Sequence, residues 1–265
     1  MYSSIKVLKK YFHYYLAASS GKGHGIHSPF VFDFVTKVLN DKNKFERSDQ
    51  IEKLRTSLLH NKTSIEVEDF GAGSGIIKSK MRMIKHIAAS SLKPKKYAML
   101  LARIAKYYKL QTIIELGTSF GISTAYIASS NPMSKVYTLE GSENICNIAQ
   151  NNFDKLDLQN ISLIRGDFEN TLPALLSKIN KIDLVFIDGN HQKIPTINYF
   201  NWLLAKSTNE SVFIFDDIHW SQEMEEAWKE IQQHPNVSLT VDLFFIGLVF
   251  FNNAFKVKQH FVIRY

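Results

Sequence analysis

Residues 114–124 read Ile114-Glu115-Leu116-Gly117-Thr118-Ser119-Phe120-Gly121-Ile122-Ser123-Thr124. An apolar run here enters a loop with two glycines four positions apart, and Glu115 stands two positions before the first of them. Glycine allows a strand to turn sharply into a helix because it adopts positive φ angles easily. The segment therefore predicts a β-strand, a tight turn and the start of an α-helix.

Similar apolar runs, rich in β-branched and aromatic residues, alternate with segments of helix length. They are 112–116, 135–139, 161–164, 182–187 and 211–215. This alternation is typical of a parallel sheet covered by helices on both faces, so the sequence predicts a doubly wound α/β fold. Towards the C-terminal end, the runs 237–243, 246–251 and 260–264 leave no room for crossover helices. We expect these last three to pair antiparallel.

The chain is long enough for one α/β domain and an N-terminal addition. Of its 265 residues, 45% are hydrophobic and 22% are charged, which is the composition of a packed protein and excludes a disordered chain. Residues 8–39 are aromatic and basic, with an interruption that suggests two helices. We expect residues 1–91 to form a helical cap or lid region and residues 92–265 to form the catalytic domain.

Charge and cysteine content bear on partners and compartment. The net charge of +7 is spread over dispersed lysines, so nucleic acid is an unlikely partner that the charge alone does not exclude. The single cysteine, Cys146, rules out an intramolecular disulfide. No apolar run is long enough to span a bilayer, and the first residues lack the pattern of a signal peptide. We expect a cytoplasmic protein, and the sequence does not indicate its oligomeric state.

The spacing of the two glycines indicates which kind of ligand the loop can bind. A dinucleotide site uses Gly-x-Gly-x-x-Gly, which seats a pyrophosphate on backbone N–H groups, whereas this loop has Gly-x-x-x-Gly. A loop with an acid nearby suits the methionyl end of S-adenosylmethionine, which carries an ammonium group. The next strand ends in Leu139-Glu140, and a carboxylate there can accept both hydrogen bonds of a ribose diol.

Five segments together carry a family resemblance. They are Glu115 to Thr124, Thr138 to Gly141, Gly166-Asp167-Phe168, Phe186-Ile187-Asp188-Gly189-Asn190-His191 and Phe215-Asp216-Asp217. They look like the successive motifs of class I methyltransferases. From about residue 92 to 251 the chain resembles the catechol-type O-methyltransferases and their relatives with an Ile-Asp-Gly-x-His segment. The resemblance implies a Rossmann-like, mostly parallel sheet of seven strands with a C-terminal antiparallel hairpin.

The resemblance also implies roles for individual residues. The methionyl part of S-adenosylmethionine would be held by Glu115, Gly117, Thr118, Ser119 and Gly121. Glu140 would bind the ribose, and Asp167 and Phe168 would flank the adenine. Asp188 is predicted both to bind the cofactor and to take part in catalysis.

The acceptor side depends on the loops after the fourth and fifth strands. His191 is the candidate base, because imidazole titrates near neutrality and can accept a hydroxyl proton. The alternative is that His191 caps the following helix or bonds Asp188 for structural reasons. Metal-dependent relatives bind a divalent cation at the positions of Asp188, Asp216 and Asp217, but they carry Asn in place of Asp217. Whether a metal is needed stays open.

Two glycine-rich segments lie outside this scheme. Gly71 to Gly75 resembles a cofactor loop but lacks a second-strand acid downstream, so we interpret it as a turn or lid over the substrate. The segment with His24 and His27 precedes a helix start at Ser28 and Pro29, and we interpret it as part of the cap. Two histidines alone are too few for a recognised metal site.

The function predicted is transfer of a methyl group from S-adenosylmethionine to a small-molecule acceptor, at oxygen by family likeness. Two alternatives remain. The acceptor could be RNA, which would require the basic N-terminal region to form one continuous face. The chain could also be a binding protein that keeps the fold without the chemistry. The sequence does not name the acceptor, because acceptor pockets in this fold are built from variable loops.

Overall fold

The computed structural model describes residues 1–69 and 78–265. The segment Gly71 to Gly75 lies outside the described residues, so its interpretation as a turn or lid stays a prediction. The chain divides into two compact units. The first contains Met1–Asp41 and Asn180–Tyr265, and the second contains Lys42–Ile179.

The elements are numbered in chain order. They are α1 Ser4–Ala17, α2 Pro29–Phe34, a π-helix Val35–Leu39, α3 Ser48–His60, β1 Ser64–Asp69, β2 Lys78–Met83, α4 Ile84–Ser91, α5 Lys95–Tyr107, β3 Thr112–Leu116, α6 Ile122–Ser130, β4 Lys135–Glu140, α7 Glu143–Lys155, β5 Ile161–Arg165, α8 Phe168–Leu176, β6 Ile182–Ile187, α9 Lys193–Leu204, β7 Ser207–Asp216, α10 Gln222–Gln233, β8 Leu239–Asp242, β9 Ile246–Phe250 and β10 Gln259–Val262.

The predicted α/β sheet is confirmed. In the second unit β3, β4 and β5 are neighbours and run parallel. In the first unit the order is β10-β8-β9-β7-β6, with β6 and β7 parallel and β9 antiparallel to both β7 and β8. Every position of β6 is buried, as expected for a strand covered on both faces.

The prediction for the last strand was wrong in two respects. The main sheet has eight strands where seven were expected, because β10 adds to the edge beside β8. The 260–264 run was also expected to pair antiparallel, whereas β10 pairs parallel with β8. No crossover helix is needed here, because β9 lies between β8 and β10 in the sequence and returns the chain to the end of the sheet where β8 began.

The region predicted as a helical cap contains helices and one hairpin. Strands β1 and β2 pair antiparallel, with Ser64 opposite Met83. From the sequence alone Ser64–Asp69 would not be predicted as a strand, because three of its residues are acidic and such residues are rare in strands. Residues 1–41 belong to the first unit and residues 42–91 to the second. A role for residues 1–91 as a cap over the acceptor stays a prediction.

Two smaller expectations can be compared with the structure. His24 and His27 are both exposed in the turns before α2, and neither belongs to a metal-ligating cluster within the described ranges. Cys146 is buried on α7, and burial raises the pKa of its thiol to about 12. This agrees with its interpretation as a small core residue rather than a nucleophile. In the part of the chain that the structure describes, no helix combines the length and hydropathy needed to cross a bilayer.

Candidate active site

The loop between β3 and α6 has the tight conformation that its glycines predict. Gly117, Ser119 and Gly121 have φ angles of 104°, 48° and 80°. The backbone N–H groups of Gly117 and Thr118 donate to the carbonyl of Leu139, at 3.0 and 3.2 Å. A side chain at Gly121 would collide with the ring of Phe153. The loop is therefore held against the end of β4, and its backbone can closely approach a ligand.

Glu115 supports this loop from inside the core. Its side chain is fully buried and accepts hydrogen bonds from the hydroxyls of Ser123 at 2.6 Å, of Thr138 at 2.7 Å and of Thr124. Burial raises the pKa of Glu115, and the three hydroxyl donors act in the opposite direction. These contacts tie β3 to β4 and to the first turn of α6. Direct binding of the methionyl group by Glu115 stays a prediction.

Glu140, at the end of β4, connects two loops of the site. One carboxylate oxygen accepts the N–H of Ser119 at 2.9 Å, and the other accepts the N–H of Ser142 at 3.1 Å. Burial raises the pKa of Glu140, and these backbone donors act against that rise. Each carboxylate oxygen has two acceptor sites, so the group can also accept hydrogen bonds from a bound diol. Glu140 thus holds Ser119 in its positive-φ conformation, and its binding of a ribose stays a prediction.

Asp167 and Phe168 follow β5, the third parallel strand of this unit. The N–H of Gly166 donates to the carbonyl of Glu140 at 2.9 Å, which joins this turn to the end of β4. Asp167 accepts the N–H of Glu169 at 3.2 Å and caps the N-terminus of α8. The structure therefore gathers Gly117, Glu140 and Asp167 at the carboxyl ends of three neighbouring strands, as the sequence predicted. The contact of Asp167 and Phe168 with adenine stays a prediction.

The first unit has its own cluster of polar side chains. Ile187 is paired with Phe215 in the parallel register of β6 and β7, so Asp188 and Asp216 leave the sheet side by side. Asp188, His191 and Asp216 each place one ligand atom within 4.8 Å of the other two. The Nε2 atom of His191 lies 3.6 Å from Oδ1 of Asp188, and Asp216 is only 2% exposed.

This cluster has the chemistry of a cation or proton site. Two carboxylates at this distance repel each other unless a proton or a cation lies between them. Two carboxylate oxygens and an imidazole nitrogen suit Mn²⁺ or Zn²⁺, because imidazole is a poor ligand for Ca²⁺ and Mg²⁺. The predicted cation ligand Asp217 is not a member of the group among the described residues. It has a φ of 53°, and its N–H donates to the carbonyl of Phe245 at 2.7 Å.

His191 was expected as a base and not as a metal ligand. The available signal was its spacing, because a residue three positions after Asp188 in a tight turn can fold back to meet it. Asn190, between them, has a φ of 60° and donates from its side chain to the hydroxyl of Tyr199 at 2.9 Å. The turn is therefore fixed by a contact with α9, which sequence reasoning did not anticipate.

A second histidine belongs to a structural network that the sequence did not reveal. His219 lies 3.1 Å from Glu225 through Nδ1 and 2.8 Å from Asp242 through Nε2. Burial acts to lower the pKa of His219, but the hydrogen bonds and charges of Asp242 and Glu225 raise it overall. Glu225 also accepts from Lys10 at 2.8 Å and from Tyr2 at 3.0 Å. The network fixes the loop after β7 to α10, β8 and the N-terminal helix.

Comparison with known proteins agrees with this geometry. Residues 114–218 match the model of a family described as a methyltransferase domain. A catechol O-methyltransferase of Niastella koreensis is 32% identical over 126 residues, which are 46% of this chain and 55% of the relative. A tRNA (guanine-N(7)-)-methyltransferase of Mycoplasma mobile is 35% identical over 80 residues, which are 30% of this chain and 40% of the relative. The matches thus span about half the length of these curated relatives.

The solved structure of an O-methyltransferase from Bacillus cereus, in complex with S-adenosylhomocysteine, has the same fold. The similarity covers 83% of this chain and 97% of that chain, with a TM-score of 0.57 and 21% sequence identity. The matched family segment contains the β3 loop, the end of β4 and the Asp188 turn. Residues 114–218 therefore match a methyltransferase-domain family, and the chain has the fold of an O-methyltransferase solved with S-adenosylhomocysteine.

Proposed function

We propose that the protein transfers a methyl group from S-adenosylmethionine to a hydroxyl oxygen of a small-molecule acceptor. The observation that carries the proposal is the set of groups at the carboxyl ends of β3, β4 and β5, where a glycine loop, the half-buried carboxylate of Glu140 and a helix-capping aspartate meet. The domain match and the fold of a structure solved with S-adenosylhomocysteine support the same reading.

In this proposal the cofactor is held by the second unit. The backbone of Gly117, Thr118 and Ser119 lies against the methionyl part, and Gly121 starts the helix behind it. Glu140 accepts the ribose hydroxyls in addition to the Ser119 N–H, because its two oxygens have acceptor sites left over. The adenine lies beside Asp167 and Phe168.

The acceptor chemistry is assigned to Asp188 and His191. The acceptor oxygen attacks the methyl carbon of the sulfonium as the carbon–sulfur bond breaks, which leaves S-adenosylhomocysteine as the second product. The hydroxyl proton goes to the Nε2 atom of His191, and Asp188, 3.6 Å away, stabilises the imidazolium that forms. The main contribution of the protein is alignment of the two reactants, because the sulfonium is already an activated methyl donor.

The Asp188, His191 and Asp216 cluster also fits a divalent cation. When bound, such an ion would polarise the acceptor hydroxyl and make it easier to deprotonate. The three ligand atoms lie within 4.8 Å of one another, a spacing that one divalent ion can bridge. A base needs His191 free of metal, so the two roles of this residue exclude each other and are separable by experiment.

We propose a reducing, cytoplasmic location, on the basis of the single buried cysteine. Residues 1–91 are proposed to shape the acceptor site as a cap.

The test is methyl transfer from S-adenosylmethionine labelled in its methyl group. Catechol and other hydroxylated small molecules form one arm, and total tRNA forms the other, because one relative is named as a tRNA methyltransferase. Each arm is run with chelator and with added Mn²⁺ or Mg²⁺. Label in a small-molecule product supports the proposal, whereas label in tRNA alone would replace it with the RNA alternative.

A further inference from the structure

The first helix carries an apolar stripe on its outer surface. Ile5, Leu8, Phe12 and Leu16 are 70%, 67%, 60% and 60% exposed. Their spacing of three and four positions places them on one face of α1, and we call them the N-terminal stripe. Single exposed apolar residues are ordinary, but four large ones in line along one helix are not.

The orientation of α1 is fixed by its opposite face. Tyr14 and Ala18 are buried against Phe244, with Tyr11 beside them. The hydroxyl of Tyr14 donates to the carbonyl of Ile263, and Lys10 forms an ion pair with Glu225 at 2.8 Å. The helix therefore has a packed face, and the N-terminal stripe cannot turn inwards without breaking these contacts.

Positive charge flanks the stripe. The first acidic residue of the chain is Asp33, so residues 1–32 contain only basic and neutral side chains. Lys6 and Lys9 are exposed and lie to one side of the stripe at 100° per residue. On the other side the guanidinium of Arg264 lies 4.9 Å from the ring centre of Tyr15, which borders the stripe. An apolar band between cations matches an anionic lipid surface, where acyl chains lie beneath a layer of phosphates.

We propose that α1 binds the surface of an anionic bilayer, lying in its plane with the N-terminal stripe in the boundary between headgroups and acyl chains. Lysine side chains next to such a stripe can reach lipid phosphates while their methylene stems stay in apolar surroundings. A second copy of the chain fits less well, because packing stripe on stripe would bring the flanking lysines of both copies together. Nucleic acid would leave the aliphatic side chains without a partner.

The experiment is co-sedimentation of the full chain, without an N-terminal tag, with two kinds of vesicle. One is phosphatidylcholine alone, and the other is phosphatidylcholine mixed with phosphatidylserine. We expect binding to the mixed vesicles that weakens as salt is raised. The double variant L8Q/F12Q should bind at least about tenfold more weakly, since it loses two buried apolar side chains. K6Q/K9Q should lose about thirtyfold on mixed vesicles, because each of the two lysines contributes roughly 1 kcal/mol near such a surface.

The control variant is Met133→Gln, which removes an 84% exposed apolar side chain outside α1 and should bind as wild type does. Equal temperatures of thermal unfolding for all variants show that they are folded. Equal binding to both vesicle types, or full binding by L8Q/F12Q, would overturn the proposal. A dimer in solution that L8Q/F12Q abolishes, without vesicle binding by wild type, would assign the stripe to a second copy instead.

Discussion

Replacing Glu140 by alanine is expected to weaken binding of S-adenosylhomocysteine by a factor of about 5 to 150. The carboxylate lies at the end of β4 and accepts backbone N–H groups, among them those of Ser119 and Ser142. The ribose would add hydrogen bonds to the acceptor sites that remain. Loss of such charge-assisted bonds costs on the order of 1–3 kcal/mol, and 1.4 kcal/mol is tenfold in affinity.

The assay is isothermal titration calorimetry of purified wild type and variants at matched pH and salt. Glu140→Gln is the conservative variant, since its amide oxygen can still accept one hydrogen bond, and it should fall between wild type and alanine. Glu210→Ala removes an exposed carboxylate of β7 and serves as the control that should bind as wild type does. Thermal unfolding without ligand reports the separate cost of leaving the Ser119 and Ser142 N–H groups without this acceptor.

Unchanged affinity in a folded Glu140→Ala protein would refute the placement of the ribose. Loss of binding together with loss of folding would show only that the bonds to Ser119 and Ser142 hold the site. The glutamine variant separates these outcomes, because it keeps an acceptor for the backbone while it removes the charge.

Three further predictions address the acceptor side, the loop and the network. His191→Ala should keep cofactor affinity and slow methyl transfer about 10²-fold or more, measured as label transferred per minute, and full turnover would remove the proposed base. Gly121→Ala should lower the free energy of unfolding in urea by about 1–3 kcal/mol, because an alanine there would have to adopt a φ of 80° and its Cβ would collide with Phe153. Unchanged stability would contradict the loop geometry. His219 has a raised pKa, so its stabilising pairing with Asp242 is fully present below the unfolded value of about 6.5 and is lost as pH rises through the folded value. The stability difference between wild type and His219→Gln should accordingly shrink as pH rises from about 6, and a difference that grows would contradict it.

The sheet could be predicted because its strands are strongly apolar and bounded by clear turns. Runs such as Ile182–Ile187 have no competing interpretation once helix-length segments lie between them. The hairpin of β1 and β2 could not be predicted in the same way, because half of the residues of Ser64–Asp69 are charged and the strand pairs through its backbone. The direction of β10 depended on which strand it joined, and strand neighbours are decided by packing across the sheet rather than by local sequence.

In the candidate site, too, some features could be predicted from the sequence and others could not. The positions of Glu140 and Asp188 follow from where strands end, so sequence alone could place them. The burial of Glu115 under three hydroxyls could not be seen, because the donors Ser123, Thr124 and Thr138 come from two other elements. His191, and not Asp217, lies close to Asp188 and Asp216. This depends on the conformation of the turns, which the residue types alone do not determine.

The most direct test of the central claim is a calorimetric titration of the wild-type chain with S-adenosylhomocysteine, S-adenosylmethionine and NAD, with and without a divalent cation. We expect saturable binding of the two adenosyl ligands at one site per chain and no binding of NAD, because the β3 loop lacks the glycine spacing for a pyrophosphate. Absence of binding by both adenosyl ligands, or tight binding of NAD, would contradict it.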